Sequence, residues 1–151
     1  MPLSRQQRFP RSSRSVAAAR AFALAILEEW GYRDRHDDIR LCVSELATNA
    51  LLHGVPRGRE FCVTLTGDSG LVRIEVRDSG DGRPQVTRAR ALDCGGRGLH
   101  LVTALADDFG VIRHSPGKTV WAVFQAHTAS TVIPGVAAVG SERTRAADRV
   151  L

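Results

Sequence analysis

The spacing of the apolar residues changes near residue 60, and this change limits what the chain can fold into. Before that point, apolar side chains recur every three or four residues, which places them on one side of a helix. Beyond it, they alternate with polar side chains, as in strands that are buried on one face. Such a chain is expected to pack helices against a sheet.

Two helices are predicted in the first part. The first begins at Ser13 or Ser15, either of which can cap a helix, and it ends before Gly31. The second begins at the acidic residues 37–38, which suit the positive end of a helix, and it ends at Gly54. The predicted buried stripes are Val16, Ala19, Phe22, Ala23, Ile26 and Leu27 in the first helix, and Ile39, Cys42, Val43, Leu46, Ala47 and Ala50 in the second.

The rest of the chain is predicted to form two hairpins separated by a glycine-rich stretch and a helix. The first hairpin turns at Asp68-Ser69-Gly70. The predicted strands cover residues 60–66, 71–77, 109–114 and 118–126, and the third helix covers 98–107. This order predicts an α+β fold, a two-layer sandwich with a mixed, mostly antiparallel sheet and helices on one face.

The length of 151 residues fits one domain, which we expect at residues 16–127. Residues 1–15 have no apolar periodicity and are predicted to form a flexible, Arg-rich tail, and residues 128–151 a flexible C-terminal tail. The net charge of +5 lies mostly in these tails, because four arginines and no acid fall in residues 1–15. The domain is therefore balanced, and direct nucleic-acid binding is not expected.

Cysteines and apolar runs indicate the compartment. The three cysteines are odd in number and widely separated, so neither a disulfide framework nor a zinc site is indicated. No apolar run reaches the length of roughly 18 residues that a membrane span needs, and no signal core follows the basic start. A cytoplasmic protein without a membrane contact is predicted.

The first candidate motif is SELATNALLHG at residues 44–54. Glu45 and Asn49 are four residues apart and therefore share a face of the second helix, opposite its apolar stripe, and His53 extends the row. An amide oxygen can bind Mg²⁺, and a carboxylate can accept a proton from an attacking hydroxyl. Taken alone, the pair is more typical of a solvated helix face, because Glu and Asn are ordinary residues there.

The second motif is RDSGDG at residues 77–82, where a strand ends at Asp78 and enters a glycine-rich stretch. A carboxylate at a strand end can accept a hydrogen bond from an exocyclic amine of a base. Gly80 and Gly82 allow the backbone to approach a flat ring closely. A plain Asp-Gly turn is the alternative.

The third motif, CGGRGLHLV at residues 94–102, places glycines at the start of a helix, where backbone N–H groups bind anions. Arg97 can add a fork for phosphate oxygens. The run GKT at residues 117–119 does not form a P-loop, because Ile112 occupies the expected glycine position and a strand follows. Instead, we expect Thr119 to orient Asp78 across the sheet.

In this order and spacing, the motifs resemble those of the GHKL superfamily of Bergerat-fold ATPases, which includes DNA gyrase, histidine kinases and mismatch-repair ATPases. Glu45 and Asn49 match its asparagine box, and Asp78 begins its D-x-G-x-G box. Gly96, Gly98 and Leu99 match its G-x-G-L box. The sequence segments ELATNALLHG and GKTVWAVF are similar to the corresponding segments of the anti-sigma-factor serine/threonine kinases.

The resemblance implies a site for ATP and Mg²⁺. Asn49 would bind the metal, Asp78 would bind adenine and Glu45 would be the catalytic base, while residues 83–98 would form a lid over the phosphates. The remaining ATP-binding residues that it implies are Gly80, Gly82, Gly96, Arg97, Gly98, Leu99 and Thr119. The lid includes Cys94, whose thiol is either a redox handle or an inert small residue.

Kinases of this family bind a sigma factor and phosphorylate an anti-anti-sigma protein of the STAS type, and known members are homodimers. Three alternatives stay open. A detached histidine-kinase domain would need a partner helix with a phosphoacceptor histidine, which neither tail supplies. A regulatory module could bind ATP without kinase activity, and the basic arm could bind DNA in a strongly salt-dependent manner.

Overall fold

The computed structural model of the chain describes residues 2–56, 58–79 and 96–128, with the backbone alone at 54 and 96–99. Their fold is the predicted α+β sandwich, with three α-helices and five strands, one strand more than predicted. The elements are β1 (Leu3–Pro10), α1 (Arg14–Glu29), α2 (His36–Asn49), a π-helical turn (Ala50–Gly54), β2 (Glu60–Asp68), β3 (Leu71–Asp78), α3 (Gly96–Leu105), β4 (Asp108–Arg113) and β5 (Lys118–Gln125).

The five strands form one sheet in the order β1-β2-β3-β5-β4, and all four described pairings are antiparallel. The β2–β3 hairpin turns at Ser69 and Gly70, which both have positive φ angles, 50° and 81°. That backbone matches the right-handed twist of the paired strands and suits glycine. The predicted hairpin is therefore present, and β2 extends two residues beyond its expected end.

The helices cover one face of the sheet. Alternate residues of β2, β3 and β5 are buried on this core face, whereas their neighbours in sequence are partly or fully exposed, except for the buried Thr119. Helix α1 contacts β1 and β2, α2 contacts β3 and β5, and α3 packs against α2 and β4. The largest fully buried side chains include Phe61, Leu65 and Ile74 from the sheet and Leu27, Ile39 and Leu46 from the helices.

The N-terminal segment corrects the sequence analysis. Residues 3–10 were predicted to belong to a flexible tail but form the edge strand β1, which pairs with β2 from Leu3↔Gly67 to Pro10↔Glu60. Phe9 is only 2% exposed and stacks on Phe61, with ring centroids 5.6 Å apart. The prediction of a tail was wrong because backbone hydrogen bonds and one aromatic side chain, rather than alternating apolar residues, hold this strand.

Helix α2 also departs from the prediction at both ends. It begins at His36, after Arg35 in a left-handed conformation with φ of 66°. The Arg35 guanidinium donates to the Asp38 and Asp107 carboxylates and to the carbonyls of Leu105 and Gln125. These bonds join the start of α2 to the ends of α3 and β5, which compensates for the unusual backbone.

The other end of α2 does not continue as an α-helix to Gly54. The α-helix ends at Asn49, and the chain makes a π-helical turn in which the Val55 N–H donates to the Ala50 carbonyl at 2.9 Å. Such turns widen the helix by one residue and change the direction of the side chains that follow.

Helix α3 begins at Gly96, two residues before its predicted start. Thr128 forms an isolated antiparallel bridge with Tyr32, one residue past the predicted end of the domain. The rest of the predicted C-terminal tail and most of the predicted lid, including Cys94, lie outside the described residues. None of the helices in the described ranges is long and apolar enough to cross a membrane.

Candidate functional site

Asp78 and Lys118 form a buried ion pair at one end of the sheet. The Lys118 ammonium lies 2.9 Å from Asp78 Oδ2, and the Lys118 backbone N–H donates to Oδ1 at 3.2 Å. The two side chains are only 3% and 8% exposed. Two hydrogen bonds from one residue thus orient the carboxylate that was predicted to bind adenine.

The strand register explains this pair. Asp78 is the last residue of β3 and stands opposite Lys118, the first residue of β5. Asp78 has the same parity as the buried Val76, and Lys118 the same parity as the buried Val120, so both side chains lie on the core face. This part of the site is therefore held by the sheet.

Thr119 does not have its predicted role. It stands opposite Arg77, and because successive side chains alternate, it lies on the other face of the sheet from Asp78. Its hydroxyl is 2.8 Å from His114 Nε2. The prediction that Thr119 orients Asp78 was wrong by one residue, since Lys118 occupies the position that faces the carboxylate.

Asn49 is buried rather than exposed. Its residue is 6% exposed at the end of α2, and its Oδ1 atom is fully buried without a hydrogen-bond partner among the described residues. The π-helical turn that follows contacts β3. The alternative of a solvated face is therefore wrong for Asn49, and an unsatisfied amide oxygen is the group that a hard cation such as Mg²⁺ requires.

Glu45 lies one helical turn before Asn49 and is half-buried. His53 was predicted to continue this row, but it is exposed and follows the start of the π-helical turn. The wider turn takes His53 out of the i, i+4 alignment, so this part of the prediction was wrong.

The glycine-rich motifs are described only in part. Gly80 and Gly82 lie outside the described residues, as do the side chains of Arg97 and Leu99. The backbone from Gly96 through Gly98 forms the first turn of α3, whose free N–H groups are not needed for hydrogen bonds within the helix. No cluster of metal-binding side chains occurs within the described ranges.

Two basic residues of the site were missed by the sequence analysis. Lys118 belongs to the run GKT, which does not form a P-loop, and Arg113 belongs to none of the motifs. Arg113 stands opposite Lys118 at the end of β4, and both of its terminal nitrogens are buried without a hydrogen-bond partner in the described part of the chain. The alternation of side chains along β4 and β5 could have placed both residues on the core face. To place them opposite each other also requires the register between the two strands, which the alternation does not give.

The chain is an α+β domain with buried polar groups at one end of its sheet. A family model described as "Histidine kinase-like ATPase domain" matches residues 9–124. The chain therefore belongs to the histidine kinase-like ATPase family, as the resemblance to the GHKL superfamily predicted, and this family implies ATP binding. The match includes residues 9–15, which had been assigned to the tail.

A solved structure supports the fold. The chain is similar to "The crystal structure of the RsbU and RsbW domains of Rv1364c from Mycobacterium tuberculosis", with a TM-score of 0.63 and 22% sequence identity. The similarity covers 83% of this chain but only 32% of the other, so the chain spans about a third of that protein's length. Comparison with curated proteins gives no match.

Proposed function

We propose that the chain is an ATP-binding serine/threonine protein kinase of the anti-sigma-factor type. It would bind a sigma factor and phosphorylate an anti-anti-sigma protein of the STAS type, and so regulate transcription by exchange of partners. Membership of the ATPase family supports the nucleotide. The observation that carries the proposal is the buried Asn49 Oδ1, which has no hydrogen-bond partner in the described part of the chain and belongs to the residue one helical turn after Glu45.

Asp78 would bind adenine by accepting a hydrogen bond from its exocyclic amine. Lys118 donates two hydrogen bonds to this carboxylate, one from its ammonium and one from its backbone N–H. Lys118 thus fixes the orientation of the carboxylate. Gly80 and Gly82, which directly follow, would allow the backbone to lie against the base.

Asn49 would bind Mg²⁺ through its Oδ1 atom. When bound, the ion would neutralise charge on the phosphates and on the phosphoryl group being transferred. Glu45 would accept the proton of the substrate hydroxyl, and the first turn of α3, from Gly96 to Leu99, would bind phosphate oxygens through its backbone N–H groups. Arg97 would contribute its guanidinium to the same phosphates.

The partners follow from the anti-sigma type. A sigma factor, a STAS-type antagonist and a second copy of the chain are the proposed partners, and the cytoplasm is the proposed location. The solved structure that shares the fold is of the RsbU and RsbW domains of Rv1364c, and this likeness is compatible with such a role.

Transfer of radiolabelled γ-phosphate from ATP to candidate STAS-type proteins tests the proposal. The expected result is label on a serine or threonine of at least one candidate, and its loss when Glu45 is replaced by alanine. ATP binding without transfer to any candidate would contradict the kinase activity and favour an ATP-binding regulatory module. Absence of ATP binding would contradict both the kinase and the ATP-binding regulatory module.

A further inference from the structure

Three charged side chains form a row across the end of the sheet. The register pairs Asp78 of β3 with Lys118 of β5, and Lys118 with Arg113 of β4. Arg113 has the same parity as Phe109 and Val111, which pack against the core, so all three charged side chains lie on the core face. The row contains two positive charges and one negative charge.

The negative charge of Asp78 is directed at Lys118, not at Arg113. The Lys118 ammonium is in contact with Asp78 Oδ2, whereas no ion pair of Arg113 occurs among the described residues. Both terminal nitrogens of Arg113 are buried and lack a hydrogen-bond partner there. A buried guanidinium with unsatisfied N–H groups is costly, so this group is suited to an anion that binds to the folded chain.

The location of Arg113 also favours an anion. Helix α3 ends at Leu105, and the chain reverses through two residues into β4, which contacts the helix. Because helix and strand run in opposite directions, the end of β4 that carries Arg113 lies at the same end of the domain as the start of α3. The free N–H groups of a helix start attract the same kind of ligand.

We propose that Arg113 is a further ligand-binding residue, whose guanidinium binds an oxyanion, namely a phosphate of the bound nucleotide. The proposal rests on the nucleotide site of the proposed function and adds to it a residue outside the glycine-rich motifs. A guanidinium can donate two parallel hydrogen bonds to a phosphate, which would satisfy both unpartnered nitrogens at once. Asp78 and Arg113, at opposite ends of the row, would then bind opposite ends of one ligand.

Three variants test this role by calorimetry with adenosine, ADP and ATP. Arg113→Met removes the charge, Arg113→Lys keeps the charge but loses the fork, and Ile112→Val alters an exposed neighbour on the other face of the sheet. Arg113→Met is expected to weaken ADP and ATP binding by about 10-fold or more and to leave adenosine within about 2-fold. The affinity of Arg113→Lys for ADP and ATP should lie between those of wild type and Arg113→Met. The affinities of Ile112→Val should equal those of wild type.

The melting temperature without ligand separates binding from a structural role. If Arg113 serves the ligand, Arg113→Met should melt at or above the temperature of wild type, because an unsatisfied buried charge is removed. A lower melting temperature together with equal losses for adenosine and ADP would overturn the proposal. If Arg113→Met does not fold, Arg113→Lys provides the test. The proposal would be overturned if Arg113→Lys weakened the binding of ADP and of adenosine by the same factor, or if it left both affinities unchanged.

Titration with inorganic phosphate distinguishes this proposal from the proposed function. If wild type binds no nucleotide, the proposed function fails. Arg113 then still stands as an oxyanion-binding residue if phosphate raises the melting temperature of wild type but not of Arg113→Met. An equal effect of phosphate on both proteins would overturn the role of Arg113.

Discussion

Lys118 Nζ lies 2.9 Å from Asp78 Oδ2, and the two side chains are buried together at the end of the sheet. The pair is formed by directly opposed residues of β3 and β5, so the backbone ladder sets its geometry. It orients the carboxylate that we assign to adenine, and it compensates the charge of each partner where water is excluded.

Replacing Asp78 by asparagine should destabilise the fold as well as the site. The Lys118 ammonium would stay buried without its counter-ion, which typically costs about 3 to 5 kcal/mol in the free energy of unfolding. Urea denaturation measures the loss. The double variant Asp78→Asn/Lys118→Met should regain most of the stability, because the ammonium that loses its counter-ion is removed as well. Equal stabilities of wild type and Asp78→Asn would contradict a buried pair.

Replacing Asn49 by alanine should abolish Mg²⁺-dependent nucleotide binding with little effect on stability. The amide oxygen is buried and unpartnered among the described residues, so its removal should change the free energy of unfolding by no more than about 1 kcal/mol. Calorimetry with ATP in the presence and absence of Mg²⁺ measures the effect. Binding of Mg·ATP equal to that of wild type would remove Asn49 from the metal site.

Replacing Glu45 by alanine should slow phosphoryl transfer and preserve nucleotide affinity. A positioned general base contributes about 10² to 10⁴ in rate, so single-turnover transfer to a STAS-type substrate should fall by at least about 10²-fold. The matched control is Ser44→Ala, whose hydroxyl donates to the Arg40 carbonyl in the preceding turn. Equal transfer rates in wild type and the Glu45 variant would rule out the role of base.

Acid should weaken the contact between Asp107 and Arg35. The Gln125 backbone N–H and the Arg35 guanidinium hold the pKa of Asp107 below its ordinary value of 3.8. A lowered pKa in the folded state means that the stabilisation is present above pH 3.8 and is lost as the pH falls through the folded pKa.

Asp107→Asn should therefore be less stable than wild type at neutral pH and should lose less stability in acid. Urea denaturation at low ionic strength across this pH range measures the difference. The effect should be modest, because the Asp107 side chain is 42% exposed and solvent screens the pair. Parallel pH profiles for the two proteins would contradict the assignment.

The sequence predicted the parts of the fold that leave a periodic pattern. The apolar stripe of α1 and the alternation in β3 and β5 are strong local signals, and these elements lie close to their predicted bounds. Strand β1 has no such pattern, because it is an edge strand with one buried aromatic residue, Phe9. Its pairing with β2 depends on residues 50 to 64 positions away, which local periodicity does not contain.

In the candidate site, too, the residues in local motifs could be predicted, and the contacts between distant residues could not. Asp78 and Asn49 could be selected because their motifs are local, and both are buried at element ends. The partner of Asp78 could not be selected, since a shift of one residue in the register between β3 and β5 exchanges Lys118 for Thr119. The π-helical turn that displaces His53 likewise has no signal in helical spacing.

Titration of Mg·ATP into wild type and into Asp78→Asn/Lys118→Met tests the central claim, that the chain binds ATP at the end of its sheet through Asp78. The double variant has no buried charge without a partner at this pair, so a loss of affinity is not a loss of fold. We predict saturable one-site binding to wild type and affinity at least about 10-fold weaker in the variant. Absence of binding to wild type, or equal affinities for the two proteins, would contradict the claim.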